Sequence, residues 1–173
     1  HTPETGLAPS ADDAVALASQ AADVDRDLAQ ERPMVRLVQG DVGCGKTVVA
    51  AAAAARAVGS GLQAALMAPT ELLAEQHARN FERWFRAIDV PVALITGSLA
   101  SRARRNALAA VAGGDIQIVV GTHALFQESV EFVQLGLVIV DEQHRFGVHQ
   151  RLSLRDKGAR GGRLPHQLIM TAT

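Results

Sequence analysis

One run of residues limits what this chain can fold into more than any other. Gly40-Asp41-Val42-Gly43-Cys44-Gly45-Lys46-Thr47 fits the pattern G-x-x-x-x-G-K-[ST]. The run before it, Val35-Arg36-Leu37-Val38-Gln39, reads as a short buried strand. The run after it, Val48 to Val58, is nearly all alanine and valine and reads as a buried helix. Strand, glycine-rich turn and helix form the context in which this pattern cradles phosphate. Glycines let the backbone curl so that successive N–H groups face an anion, and the helix start adds the positive end of its dipole. In that reading Lys46 lies over the β- and γ-phosphates of a nucleoside triphosphate, and the Thr47 hydroxyl binds Mg²⁺. The plainer reading is a glycine turn that caps an alanine helix.

The rest of the chain extends the unit. Gln63–Met67, Val92–Ile95, Ile116–Val120, Leu137–Val140 and Gln167–Met170 read as further strands. Helices are predicted over 71–86 and 101–112, the latter stopped by Gly113-Gly114. Leu72, Leu73, Gln76, Phe81, Trp84 and Phe85 are near helical spacing, so the aromatic group reads as core before it reads as a base-stacking platform. Short apolar strands that alternate with helices imply an α/β domain, a mostly parallel central sheet with helices on both faces. With 173 residues, 48% of them hydrophobic, the chain can fill the core of one such domain. Residues 1–33 form a separate lead-in. A loosely attached helix is expected within 11–30, with Val15, Leu17, Ala18, Ala22 and Leu28 as a weak stripe and Pro33 as its end.

A second motif completes the chemistry. Leu137-Val138-Ile139-Val140 delivers Asp141 and Glu142 to the tip of a buried strand. Asp141 there suits a second Mg²⁺ contact, and Glu142 is placed to polarise an attacking water. The alternative is an acidic pair that caps a following helix. Ligand crevices of open α/β sheets lie at the carboxyl ends of the strands, so Gly40–Thr47, Asp141–His144 and Thr171–Thr173 should converge. The N-K-x-D pattern that reads guanine is absent, and so is the arginine-rich, glycine-hinged lid of a small-molecule kinase.

Other classes are disfavoured. A net charge of −1 gives no global attraction for nucleic acid, so any such contact is local. The single cysteine, Cys44, excludes an internal disulfide and suits a reducing, cytoplasmic setting. No metal-ligand spacing occurs, which leaves His149 and His166 as surface or packing residues. No run is apolar enough to span a membrane.

Asp141-Glu142-Gln143-His144 resembles the DExH box of superfamily 2 helicases. Ala68-Pro69-Thr70-Glu71-Leu72-Leu73 is similar to motif Ia, Thr96-Gly97-Ser98 to motif Ib, Gly121-Thr122-His123-Ala124-Leu125 to the GT motif, and Thr171-Ala172-Thr173 to motif III. The longer runs 36–43, 67–77 and 140–151 resemble the RecG-type branch-migration helicases, and the resemblance covers about residues 24–173. Transcription-repair coupling translocases are the nearest alternative, but they usually carry Asp-Glu-Glu-His where this chain has Gln143. A nucleotide-binding module without motor function is the reading from another class.

The resemblance implies a RecA-like first motor lobe over 34–173 that stops after motif III. It would be a monomeric part of a longer protein, with ATP and Mg²⁺ as cofactors. Its partners would be double-stranded and branched DNA, a second RecA-like lobe and a wedge domain. Gly40, Asp41, Val42, Gly43, Cys44, Gly45, Lys46 and Thr47 would hold the nucleotide, with Thr47 and Asp141 on the metal and Lys46, Asp141, Glu142, Gln143 and His144 catalytic. Thr171 and Thr173 would couple hydrolysis to movement, and Pro69, Thr70, Gly97, Gly121, Thr122 and His123 would follow the DNA backbone. Helix capping by Thr70 and turn formation at Gly97 and Gly121 are equally open readings. Arg102, Arg104 and Arg105 form either a solvated face or a phosphate patch. Neither Gln20 nor Gln30 aligns clearly with the family's adenine-reading glutamine, so ATP over GTP rests on the resemblance. His1 and Thr173 both read as cut ends.

Overall fold

The short apolar runs form strands, and the alanine-rich run a helix, close to where their composition puts them. In the computed structural model, which describes residues 19, 21–24, 26, 28–29, 35–40, 45–126, 130–141 and 165–172, these are β1 (Val35–Gly40), β2 (Gln63–Met67), β3 (Val92–Ile95), β4 (Ile118–Gly121), β5 (Leu135–Asp141) and β6 (His166–Ala172). Among the described residues the connecting helices are α1 (Lys46–Gly59), α2 (Glu71–Phe85) and α3 (Ser101–Ala112). Short 3₁₀ turns follow α2 at Arg86–Ile88 and β4 at His123–Phe126. The sheet order is β1-β6-β5-β2-β4-β3, and every described pairing is parallel.

Alternation along the strands sorts the core onto two faces. Ala64, Leu66, Ile118, Val120, Leu137 and Ile139 pack with α1 and α2. Their neighbours Ala65, Met67, Val119, Val138 and Val140 pack with Val111 of α3 on the other side. Chirality explains the division. The connections β1→β2 and β2→β3 run one way across the sheet, while β3→β4 runs back, so right-handed crossovers must place α3 opposite.

The helices are held differently. Alanine has the highest helix propensity and costs no side-chain entropy. In α1 the buried Ala50, Ala53, Ala54 and Ala57 lie against the sheet with little side-chain volume between. Helix α2 is held by Phe81, fully buried and in ring contact with Trp84 at 6.0 Å and Phe85 at 5.7 Å. Burying such a ring contributes about 1.5–3 kcal/mol. Phe81 and Phe85 are therefore core, as their spacing predicts, and Trp84 packs half-buried against it. Leu72 and Gln76 are exposed instead, because the buried stripe of α2 runs through Ala74, His77, Ala78, Phe81 and Phe85.

One expectation for the lead-in needs correction. Its described residues are helical up to Leu28, with Ala29 in a turn, but Val24 is 2% exposed and belongs to the main core. Ala21, Val24 and Leu28 face Val49 and Ala53 of α1, whereas Ala22 is exposed. The packed stripe of the described residues thus runs through Ala21, Val24 and the predicted Leu28, and this part is docked rather than loose. The predicted stripe residues Val15, Leu17 and Ala18 lie outside the described residues.

Candidate functional site

All six strands point the same way, so their carboxyl ends share one rim. Strand pairing places Gly40 beside Ala172, Asp141 beside Met170, Val140 beside Met67, and Gly121 beside both Met67 and Ile95. The rim has two halves. The strands β1, β6 and β5 carry the phosphate-loop start, Thr171 and Asp141, while β2, β4 and β3 lead into Pro69-Thr70, Gly121-Thr122 and Thr96-Gly97.

On the first half, α1 begins directly after Gly45, which adopts the left-handed conformation at φ 86°. An L side chain is strained there, so glycine is the residue that fits. The Gly45 carbonyl accepts from Val48 N at 3.0 Å and Val49 N at 3.3 Å. Among the described residues no side chain caps α1, and its first turn holds no acid. The first amides of any α-helix point out of its start with no acceptor inside it, and the dipole makes that end attractive to anions. Lys46 and Thr47, both half-buried, stand at this point. Asp141 ends β5, two strands from β1 in the sheet, which puts the tips of β1 and β5 about 10 Å apart. Hydroxyl and carboxylate oxygens are the hard donors that Mg²⁺ takes, so Thr47 and Asp141 suit a cation held together with phosphate oxygens. No cluster of three metal-ligating side chains occurs among the described residues. Asp41, Val42, Gly43, Cys44, Glu142, Gln143, His144 and Thr173 lie outside the described residues.

The Asp141 carboxylate has a partner that the motifs did not reveal. His77 Nε2 donates to its Oδ2 at 2.7 Å, across from α2. A sequence signal exists in hindsight. His77 is the polar member of the apolar stripe Ala74–Ala78–Phe81, and a polar side chain on a buried stripe needs a partner.

On the second half, the strand ends are tied to one another. Thr70 Oγ1 accepts from Leu73 N at 3.2 Å and caps α2. Glu71 accepts from Ser98 N at 3.2 Å and from Ser98 Oγ at 2.9 Å, which joins the loops after β2 and β3. Ala68 N donates to the Gly121 carbonyl at 2.9 Å. Arg104 Nη1 donates to the Thr96 carbonyl at 3.1 Å, leaving Arg102 and Arg105 as the exposed members of the basic cluster.

The proposed backbone-contact residues therefore separate. Thr70, Gly97 and His123 are exposed and Pro69 is half-buried. Gly121 is buried, and a Cβ there would stand 2.3 Å from the Ile95 carbonyl and 2.9 Å from Leu125 Cγ, so close packing explains this glycine. Thr122 is 2% exposed, and its hydroxyl has no partner among the described residues.

Comparison with known proteins follows the same lines. Residues 18–173 match the family model for DEAD/DEAH box helicases. The ATP-dependent DNA helicase RecG of Haemophilus influenzae is 60% identical over 151 residues, which cover 87% of this chain and 22% of that protein. A solved structure of RecG bound to a three-way DNA junction matches with TM-score 0.77 and 38% identity, over 91% of this chain and 20% of that one. The helicase domain of Pyrococcus furiosus Hef matches with TM-score 0.65 and 23% identity, over 92% of this chain and 32% of that one, and shares the fold.

Proposed function

Because this chain belongs to the DEAD/DEAH box helicase family over residues 18–173, we propose that it is the first, ATP-binding lobe of a RecG-type DNA motor. The observation that carries this reading is the pairing, on one rim, of the uncapped α1 start at Gly45 with Asp141 at the tip of β5. Lys46 and the first amides of α1 bind the phosphates, with Gly40 to Cys44 completing the cradle. Thr47 and Asp141 hold Mg²⁺, which when bound neutralises charge on the phosphate oxygens. Glu142 polarises the attacking water. Gln143 and His144 report the state of the nucleotide to Thr171 and Thr173.

DNA is assigned to the other half of the rim. The exposed Thr70, Gly97 and His123, with Pro69, follow the backbone, while the buried Gly121 and Thr122 shape the turn that presents His123. Contacts of this kind carry no sequence information, as a motor on arbitrary DNA requires. They also need no large net positive charge, which fits −1. Remodelling of branched DNA belongs to the longer protein in this reading, a cytoplasmic monomer with a second lobe and a wedge domain. Among the described residues no helix is long and apolar enough to cross a membrane.

An arginine finger from a second lobe contributes roughly 10³–10⁵ in phosphoryl-transfer rate. The chain alone should therefore bind ATP with Mg²⁺ but turn it over very slowly, with or without branched DNA. Steady-state phosphate release measures this. Rapid, DNA-stimulated turnover by these 173 residues would contradict the division of labour between lobes.

A further inference from the structure

His77 is buried, 8% exposed, on the face of α2 that packs against the sheet. It does not belong to the strand-end loops, and the reading above gives it no task. A histidine in such a place is commonly a core residue whose polar atoms have been satisfied. Its partner is what sets it apart. Of all the groups along the sheet, Nε2 meets Oδ2 of Asp141, the acid assigned to the metal.

Asp141 ends its strand, where no further ladder pairing constrains the side chain. A carboxylate at a strand tip can rotate about its Cα–Cβ and Cβ–Cγ bonds, and each rotamer aims a different oxygen at a cation. A hydrogen bond at 2.7 Å from a side chain that is itself packed in the core removes that freedom. It engages Oδ2 and leaves Oδ1 as the oxygen available to a divalent ion. The origin of His77 adds to this. It sits in the second turn of α2, the helix that starts at Thr70, so the bond fastens the tip of β5 to the element that follows β2. The contact crosses between the two halves of the rim.

We propose that His77 is a positioning residue for the metal site: Nε2–H holds Oδ2 of Asp141 so that the carboxylate is already oriented when Mg²⁺ and nucleotide arrive. This rests on the assignment of Asp141 to the metal. Partners that orient a metal ligand typically change affinity about 10–100-fold when removed. His77 acts through Asp141, so its loss weakens the metal's contribution and spares whatever part of nucleotide binding needs no metal.

The test uses the 173-residue chain and a fluorescent ATP analogue, with binding followed as Mg²⁺ is titrated and again in excess EDTA. His77→Leu fills the space without a donor. His77→Gln keeps an N–H at similar reach. The expected result is a Mg²⁺ midpoint raised about 10–100-fold in His77→Leu, most of it recovered in His77→Gln, with EDTA-state affinity within about twofold of the unmutated chain. Equal Mg²⁺ midpoints in all three proteins overturn the proposal, as does a loss of equal size with and without metal. Mg²⁺-independent behaviour of the unmutated chain, or no binding by it at all, would instead remove the assignment of the nucleotide site, and this proposal with it. Should His77→Leu fail to fold, long-range ¹H–¹⁵N spectra of the unmutated chain decide. A proton on Nε2 of His77, with a ring shift displaced in Asp141→Asn, supports the bond, and a bare Nε2 rules it out.

Discussion

Two helices start from the same rim, and their starts are built in opposite ways. Helix α1 begins at a left-handed glycine, with no side-chain cap and no acid in its first turn. Helix α2 begins at Thr70, whose hydroxyl accepts from Leu73 N, and Glu71 follows at once. A capped, acidic start has used one of its outward amides and neutralised part of its dipole. A start without such a cap or acid keeps the positive end of its dipole unneutralised. Glu71 is moreover engaged by Ser98, so this half of the rim is braced within the protein. The contrast separates two causes of a polar loop at a strand end. The α2 loop is polar because the fold closes it; the α1 loop, in the proposed reading, is closed by a ligand. The start of α3 shows that an uncapped helix is not enough: it too lacks a cap and an acid, but the left-handed glycine of α1 is not repeated there.

This comparison can be broken at several points. The largest effect is expected from Phe81→Ala, because a closed helix start still has to be held against the sheet. Truncating a fully buried ring costs about 3–5 kcal/mol, which chemical denaturation would register as a lower midpoint. A loss under about 1 kcal/mol would mean that the cap and the Glu71–Ser98 bonds, and not the core, fix α2. Next comes Lys46→Ala. A charge-assisted hydrogen bond is worth about 1.5–3 kcal/mol, so ATP affinity by fluorescence titration should fall roughly tenfold to hundredfold. The smallest effect is Thr70→Ala, which removes the α2 cap. It should lower stability by about 1 kcal/mol and leave ATP affinity unchanged. A reversal of the last two, with Thr70 governing nucleotide and Lys46 only the fold, would exchange the roles of the two helix starts.

Much of this was legible in the residues. The strands could be read because each is a run of β-branched or small apolar residues too short for a helix, and α1 because its alanines favour one conformation. Phe81 and Phe85 could be placed in the core from spacing alone. Other features depend on the third dimension. The strand order β1-β6-β5-β2-β4-β3 brings Asp141 and His77 together across 64 positions, and no local pattern encodes such a pairing. Gly121 looked like a loop glycine at a ligand, but what demands it is the Ile95 carbonyl on the neighbouring strand. In the lead-in, Leu28 lies on the packed face as its spacing predicts, but Val24 and Ala21 replace Ala22 there, because a weakly apolar, alanine-rich stripe does not fix which face is buried. Leu72 failed in the opposite sense: apolar and near helical spacing, it stands 61% exposed beside the stripe.

The central claim is that the α1 start is the anion-binding end and the α2 start is not. Backbone ¹H–¹⁵N spectra of the chain with and without Mg²⁺ and ATP test it most directly. The account predicts the largest displacements at the amides of Gly45, Lys46 and Thr47, and none at Leu73. Displacement centred on Thr70–Leu73, with Gly45–Thr47 unmoved, would contradict it.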